Sequence, residues 1–180
     1  MNLSTLFTEA AGAVQAIVKE LQTFSAALHY AVDLTIAQGG RTLAAPGLPA
    51  GDKEQLRKLC EKQQLTMLDR DLRQQGEGFH TGFTVADWGI AETGTVVLDS
   101  SSEDLRLASM LCETHVAVVA SRRLLANTQA LEEEVNQLLA KGPRYLAFIT
   151  GASRTADIER VLTIGVHGPK ELHVLLLQEI

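Results

Sequence analysis

His115-Val116-Ala117-Val118-Val119-Ala120 is the stretch on which the fold turns. One histidine precedes five apolar residues, three of them β-branched valine. That is the composition of a strand buried on both faces, as in a parallel sheet covered by helices. Toward the C-terminus, Asn127 to Ala140 has an amphipathic helical period and Arg144 to Thr150 reads as a strand. Ala156 to Ile164 then reads as a helix and Glu171 to Gln178 as a last strand. Toward the N-terminus, Leu105 to Leu111 predicts one or two helical turns. Gly82 to Ala86 and Ile90 to Leu98 predict strands parted by a turn at Asp87-Trp88-Gly89. Residues 69–80 are polar and read as a loop. Leu65 to Leu68 and Arg41 to Ala45 are brief strands, and between them Asp52 caps a helix running to about Gln63. Phe24 to Gln38 is helical and stopped by Gly39-Gly40, and residues 3–12 form a short helix. Ala13 to Lys19 fits either a continuation of that helix or a first strand.

Strands alternating with helices of ~10–15 residues predict an α/β fold, a mostly parallel sheet flanked by helices. The paired strands around residues 82–98 add an antiparallel excursion. A chain of 180 residues suits a single globular domain. Residues 1–41 read as an N-terminal helical segment leading into it, and 42–180 as the domain itself.

Composition removes several classes of function. Sixteen basic residues against twenty-two acidic ones give a net charge of -6, and no basic run marks a nucleic-acid or membrane-surface patch. The longest apolar-looking stretch, Ala26 to Ala37, is broken by His29, Asp33 and Thr35 and falls short of the ~20 residues a membrane span needs. Met1 to Ala10 has neither a basic n-region nor an apolar h-region, so a secretory signal is not expected and the chain reads as cytoplasmic. Cys60 and Cys112 are too few for a disulfide framework or a metal cluster and fit free thiols in a reducing compartment.

Chemistry concentrates in two segments rich in Gly, Thr, Ser and charge at the ends of apolar strands, where open α/β sheets bind ligands. The first is Asp87-Trp-Gly89-Ile-Ala-Glu92-Thr93-Gly94-Thr95. The second is Gly151-Ala-Ser153-Arg154-Thr155-Ala-Asp157-Ile-Glu159, followed by Gly165-Val-His167-Gly-Pro169-Lys-Glu171-Leu-His173. Together and in this order these blocks resemble the LUD domain, and in particular the C-type component of the bacterial three-part lactate-utilisation system. The resemblance runs from about Thr42 to the C-terminus. It implies the fold shared with glucosamine-phosphate isomerases, ribose-phosphate isomerases and CoA transferases. It also implies a subunit role in oxidising L-lactate to pyruvate. Iron–sulfur clusters would then sit in partner subunits and none in this chain. The competing class is an autonomous CoA-ester or sugar-phosphate enzyme of the CoA-transferase-like fold.

Residue by residue, bland and functional roles compete. Glu92 is either a turn carboxylate or, as a CoA-transferase-like fold implies, a ligand contact or covalent nucleophile. Asp157 and Glu159 fit the first turn of the helix expected after Thr155, where acids offset the helix dipole. The same strand–Gly151–helix arrangement is an anion cradle, with Ser153 and Thr155 as neutral donors and Arg154 as a bidentate clamp. Asp87, Thr93, Gly94 and Thr95 complete the expected ligand site from the first segment. His167, in its Gly-Pro turn, completes it from the second. A small organic acid or other anion is the ligand these groups suit. Gly151-Ala-Ser153-Arg-Thr155 lacks the final glycine of a nucleophile elbow. Cys112 and His115, three apart, have no further ligands to complete a zinc site, and no metal is expected.

Overall fold

The computed structural model describes residues 2–75, 78–155, 163–165 and 167–178. A six-stranded sheet runs through the molecule in the order β1-β12-β7-β4-β2-β3, with every pairing parallel. Its strands are β1 (Ile17–Leu21), β2 (Thr42–Ala44), β3 (Thr66–Leu68), β4 (Phe79–Val85), β7 (Cys112–Ala120) and β12 (Glu171–Leu177). The decisive stretch is the sheet's centre. Val116 and Val118 face one side, and Ala117 and Val119 face the other, all without solvent exposure.

Helices α2 (Phe24–Ala37) and α3 (Ala50–Lys62) cover the first side. They bring Ala27, Leu28, Ala31, Val32, Leu56 and Cys60 against Leu43, Phe83, Leu175 and Leu177. Burying each large apolar side chain contributes ~1.5–3 kcal/mol. The second side is covered by α1 (Leu3–Ala13), through Phe7 and Ala11, and by a smaller four-stranded sheet. That sheet has the order β8-β5-β6-β9: Leu124–Leu125, Trp88–Ile90, Thr95–Asp99 and Leu146–Ile149. Its outer face, with Trp88, Ile90 and Val97, is closed by Leu131 and by Val135 and Leu138 of α5 (Glu132–Leu139). Helix α4 (Glu103–Met110) packs Ala108 against Ala44, Phe79 and Cys112. No helix among the described residues is long and apolar enough to cross a membrane.

The α/β architecture agrees with the sequence periods, and several boundaries differ. Ile17–Leu21 is a strand, which settles the ambiguity around residues 13–19. The antiparallel hairpin exists, but its turn is Ala91–Gly94 rather than Asp87–Gly89. Trp88 and Gly89 belong to β5 because the indole fills the outer core, while Leu124 and Phe7 press close on Gly89 from the inner one. Asp52 does not cap α3; the helix begins at Ala50 after Pro49, and Asp52 lies in its first turn. The helix expected from Ala156 to Ile164 ends differently. Thr163–Ile164 (β11) pair antiparallel with Arg154–Thr155 (β10), and the residues between them lie outside the described set.

Candidate functional site

The two polar segments meet, although not on the parallel sheet. Thr95 opens β6 and Thr150 follows β9, and the antiparallel register Val96–Ile149 sets them side by side on one edge of the four-stranded sheet. The Thr95 Oγ1 lies 2.7 Å from Thr150 Oγ1 and 2.7 Å from Thr93 Oγ1, a three-hydroxyl relay. Thr95 is itself buried. Replacing it with valine keeps its shape and removes both bonds. The expected cost is about 1–2 kcal/mol, read in denaturant melts, with no change of fold by circular dichroism.

Several motif residues are spent on holding α1. Gly94 (φ 62°) and Gly151 (φ 74°) both take the left-handed region. A Cβ on Gly94 would lie 2.2 Å from the Ala11 backbone nitrogen, and one on Gly151 2.4 Å from the Val14 carbonyl oxygen. The Arg154 guanidinium donates to that same Val14 carbonyl, at the end where the helix dipole is negative. Gly94, Gly151 and Arg154 thus clasp the C-terminus of α1. Arg154 sits on a short strand with its guanidinium turned to the Val14 carbonyl, and the helix expected to begin just after Thr155 lies outside the described residues.

The remaining expected residues fall into separate places. Glu92 is exposed in the hairpin turn, its N–H donating to the Ala126 carbonyl at 3.0 Å. Asp87 lies at the other end of the hairpin, its Oδ2 accepting from the Asp99 N–H at 2.6 Å. Burial pushes the Asp87 carboxyl up, and that N–H pulls it back. The length of β6 separates it from Glu92, roughly 13 Å at ~3.3 Å per residue. The backbone of Thr155 pairs with Thr163. Asp157 and Glu159 lie outside the described residues. His173 is held at the amino end of β12 between the Tyr30 hydroxyl (2.8 Å) and Glu171 (3.0 Å).

Gly151, Ser153 and His167 do come together. The Ser153 N–H donates to the Pro169 carbonyl at 2.8 Å and its carbonyl accepts from Gly165 at 2.9 Å, locking residues 150–153 to 165–169. Between these loops, the free edge of β9 and the C-terminal half of α4 lies a cleft of about 270 Å³. Ser153, His167 and Thr150 line one end, and Ser100, Arg106 and Ser109 the other. Met110, Ala147 and Phe148 make an apolar middle, with Phe148 51% exposed.

Sequence reasoning missed Arg106, Ser109, Tyr145 and Phe148. The one available signal is the strand Arg144 to Thr150, whose aromatics Tyr145 and Phe148 cannot share a face at a period of two. Cys112 and His115 do not act as a ligand pair. The Cys112 thiol is buried against α4 and pushed up to about 12, while His115 is bonded to Thr84. Among the described residues no group of three His, Cys, Asp or Glu side chains converges to hold a metal ion.

The family model for the LUD domain matches residues 5–177. Lactate utilization protein C of Bacillus subtilis strain 168 is 34% identical over 108 residues, 58% of this chain and 45% of that protein. Lactate utilization protein C of Halalkalibacterium halodurans is 31% identical over 150 residues, 79% of this chain and 65% of that protein. The matches therefore span about half to two thirds of these relatives. A crystal structure of a DUF162 family protein from Deinococcus radiodurans superposes with a TM-score of 0.64 at 19% identity. It covers 97% of this chain and 96% of that one, a likeness of fold.

Proposed function

The chain belongs to the LUD domain family, and from that premise we propose that it is a ligand-binding subunit of a lactate-utilisation system. It holds a small organic acid in the cleft beside β9 and docks against iron–sulfur subunits that carry the electrons. The observation behind this reading is the way the family's motif residues divide. Gly94, Gly151 and Arg154 brace α1, and the same loops present Thr150, Ser153 and His167 to the cleft. The shared name of the relatives, lactate utilization protein C, supports the pathway.

Placing the clusters in partner subunits rests on donor chemistry. Iron–sulfur ligation needs thiolates, typically four. Cys60 and Cys112 lie in different core clusters, and burial pushes their thiols up to about 11 and about 12. They do not suit a cluster. The competing reading, covalent chemistry at Glu92, has an exposed carboxylate that is not part of the cleft's lining. Calorimetric titration of L-lactate, pyruvate, inorganic phosphate and CoA into the purified chain tests the proposal. A carboxylate should bind and CoA should not, and lactate-dependent dye reduction should require added iron–sulfur partners. Binding of CoA alone, or turnover by the isolated chain, would overturn it.

A further inference from the structure

We infer that the charge-bearing contact of the cleft is Arg106, and that its ligand is a monocarboxylic acid with an apolar arm longer than that of lactate. This inference rests on the proposed ligand-binding role of the same cleft and deepens it.

The other cations nearby are occupied. Arg144 pairs with Asp99 at 3.4 Å, Lys170 with Glu113 at 2.8 Å, and Arg154 is turned to the Val14 carbonyl. Arg106 is held differently. Its Nη1 donates to the Ser100 carbonyl at 2.6 Å and the Ser101 carbonyl at 3.2 Å, and its Cζ lies 5.2 Å from the Tyr145 ring centroid. Two carbonyls and a π-face fix the guanidinium plane, and the carboxylate that feels its charge, Glu103, makes its ion pair with Arg73 instead. Nε and Nη2 have no partner among the described residues. That leaves the edge which recognises a carboxylate bidentately, already oriented. One guanidinium edge takes one carboxylate, whereas a dianionic phosphate would call for a second cation.

The apolar middle names the rest of the ligand. Met110 is 53% exposed and Phe148 51%, and both line the cleft with Ala147, alongside Arg106, Ser153 and His167. A volume of about 270 Å³ approaches the ~300–1,000 Å³ of sites for drug-sized molecules. A three-carbon acid anchored at Arg106 would leave this apolar wall wet. β9 has four residues, so the groove extends roughly 10 Å along its edge at ~3.3 Å per step.

The test is a titration series of straight-chain carboxylates from acetate to octanoate, alongside L-lactate, on wild type, Arg106→Gln, Arg106→Lys, Arg154→Gln and Phe148→Ser. Affinity should rise about fourfold per methylene until the groove is filled, as ~0.8 kcal/mol per buried CH₂ requires. Arg106→Gln should weaken every acid at least tenfold, Arg106→Lys less, and Arg154→Gln should bind as wild type does. Phe148→Ser, an exposed substitution that spares the core, should flatten the chain-length dependence. Thermal melts show whether each variant is folded. A flat series, or loss of binding at Arg154→Gln but not at Arg106→Gln, would overturn the inference. If lactate binding survives in that case, the ligand-binding reading stands. No binding of any carboxylate by the wild type would overturn both.

Discussion

Gly94→Ala should destabilise the protein by roughly 2–5 kcal/mol and lower its melting temperature on the order of 10 °C. Two costs add. Gly94 has φ 62°, where a Cβ collides with its own backbone at ~1–2 kcal/mol. The new atom would also lie 2.2 Å from the Ala11 nitrogen and 2.4 Å from its Cα. Both are backbone atoms of α1, so no side chain can swing away, and overpacking of this kind costs ~1–3 kcal/mol. The helix must move, and with it Phe7 and Ala11, which are fully buried against the sheet. Gly12→Ala, one residue along α1 from Ala11, is the control. Its Cβ meets nothing within 4 Å, so it should stabilise by ~0.5–1 kcal/mol through helix propensity. Urea melts of both variants decide the matter. A Gly94→Ala protein as stable as wild type would show that the hairpin turn does not brace the helix, and Gly94 would return to being a ligand-site residue.

Acid should unfold the protein in steps, the largest from His115. Its ring is 1% exposed in the centre of the main sheet. Thr84 Oγ1 lies 2.8 Å from Nε2, and Nδ1 has no partner among the described residues. Burial lowers its pKa from 6.5 to about 4, because the cation has no water and no carboxylate to stabilise it. Between those values the unfolded chain takes up a proton that the folded chain refuses. Stability is therefore full above pH 6.5 and declines as pH falls toward 4, by up to roughly 3 kcal/mol at 1.36 kcal/mol per pKa unit. Asp87 works in the opposite sense. Its raised carboxyl pKa means the folded state binds a proton first, which adds stability as pH drops through that value. Denaturant melts from pH 7.5 to 4 should show the decline in wild type and a flatter profile in His115→Gln, whose amide can still reach Thr84. Should the variant fold poorly, the His115 ring proton shift in the intact protein gives a second reading, constant down to pH 5. An equal acid slope in both proteins, or a ring titrating near 6.5, would contradict the assignment.

Neither of these residues announces its role in the chain. His115 reads as the polar start of a strand, and nothing local says that Thr84 of the neighbouring strand will be its partner. Gly94 reads as part of a ligand loop, and its contact with α1 depends on residues more than eighty positions away in sequence. Arg154 is the clearest case. A strand, a glycine and an arginine before a helical period suggest an anion cradle, and the competing acceptor, Val14, belongs to a helix at the other end of the chain.

The sequence by itself determined the layering: a parallel sheet with helices on both faces, its centre at residues 115–120, and the family to which the chain belongs. The layering follows from periods of 2 and 3.6 residues and from runs of β-branched side chains, which act within a few positions of themselves, and the family from the resemblance carried by the motif blocks at 87–95, 151–159 and 165–173. The split between two sheets and the division of motif residues between bracing α1 and lining a cleft were decided only by the tertiary structure. Hydrogen-bond acceptors and apolar walls from distant segments compete for the same side chain, and the winner is set by packing that no local pattern encodes.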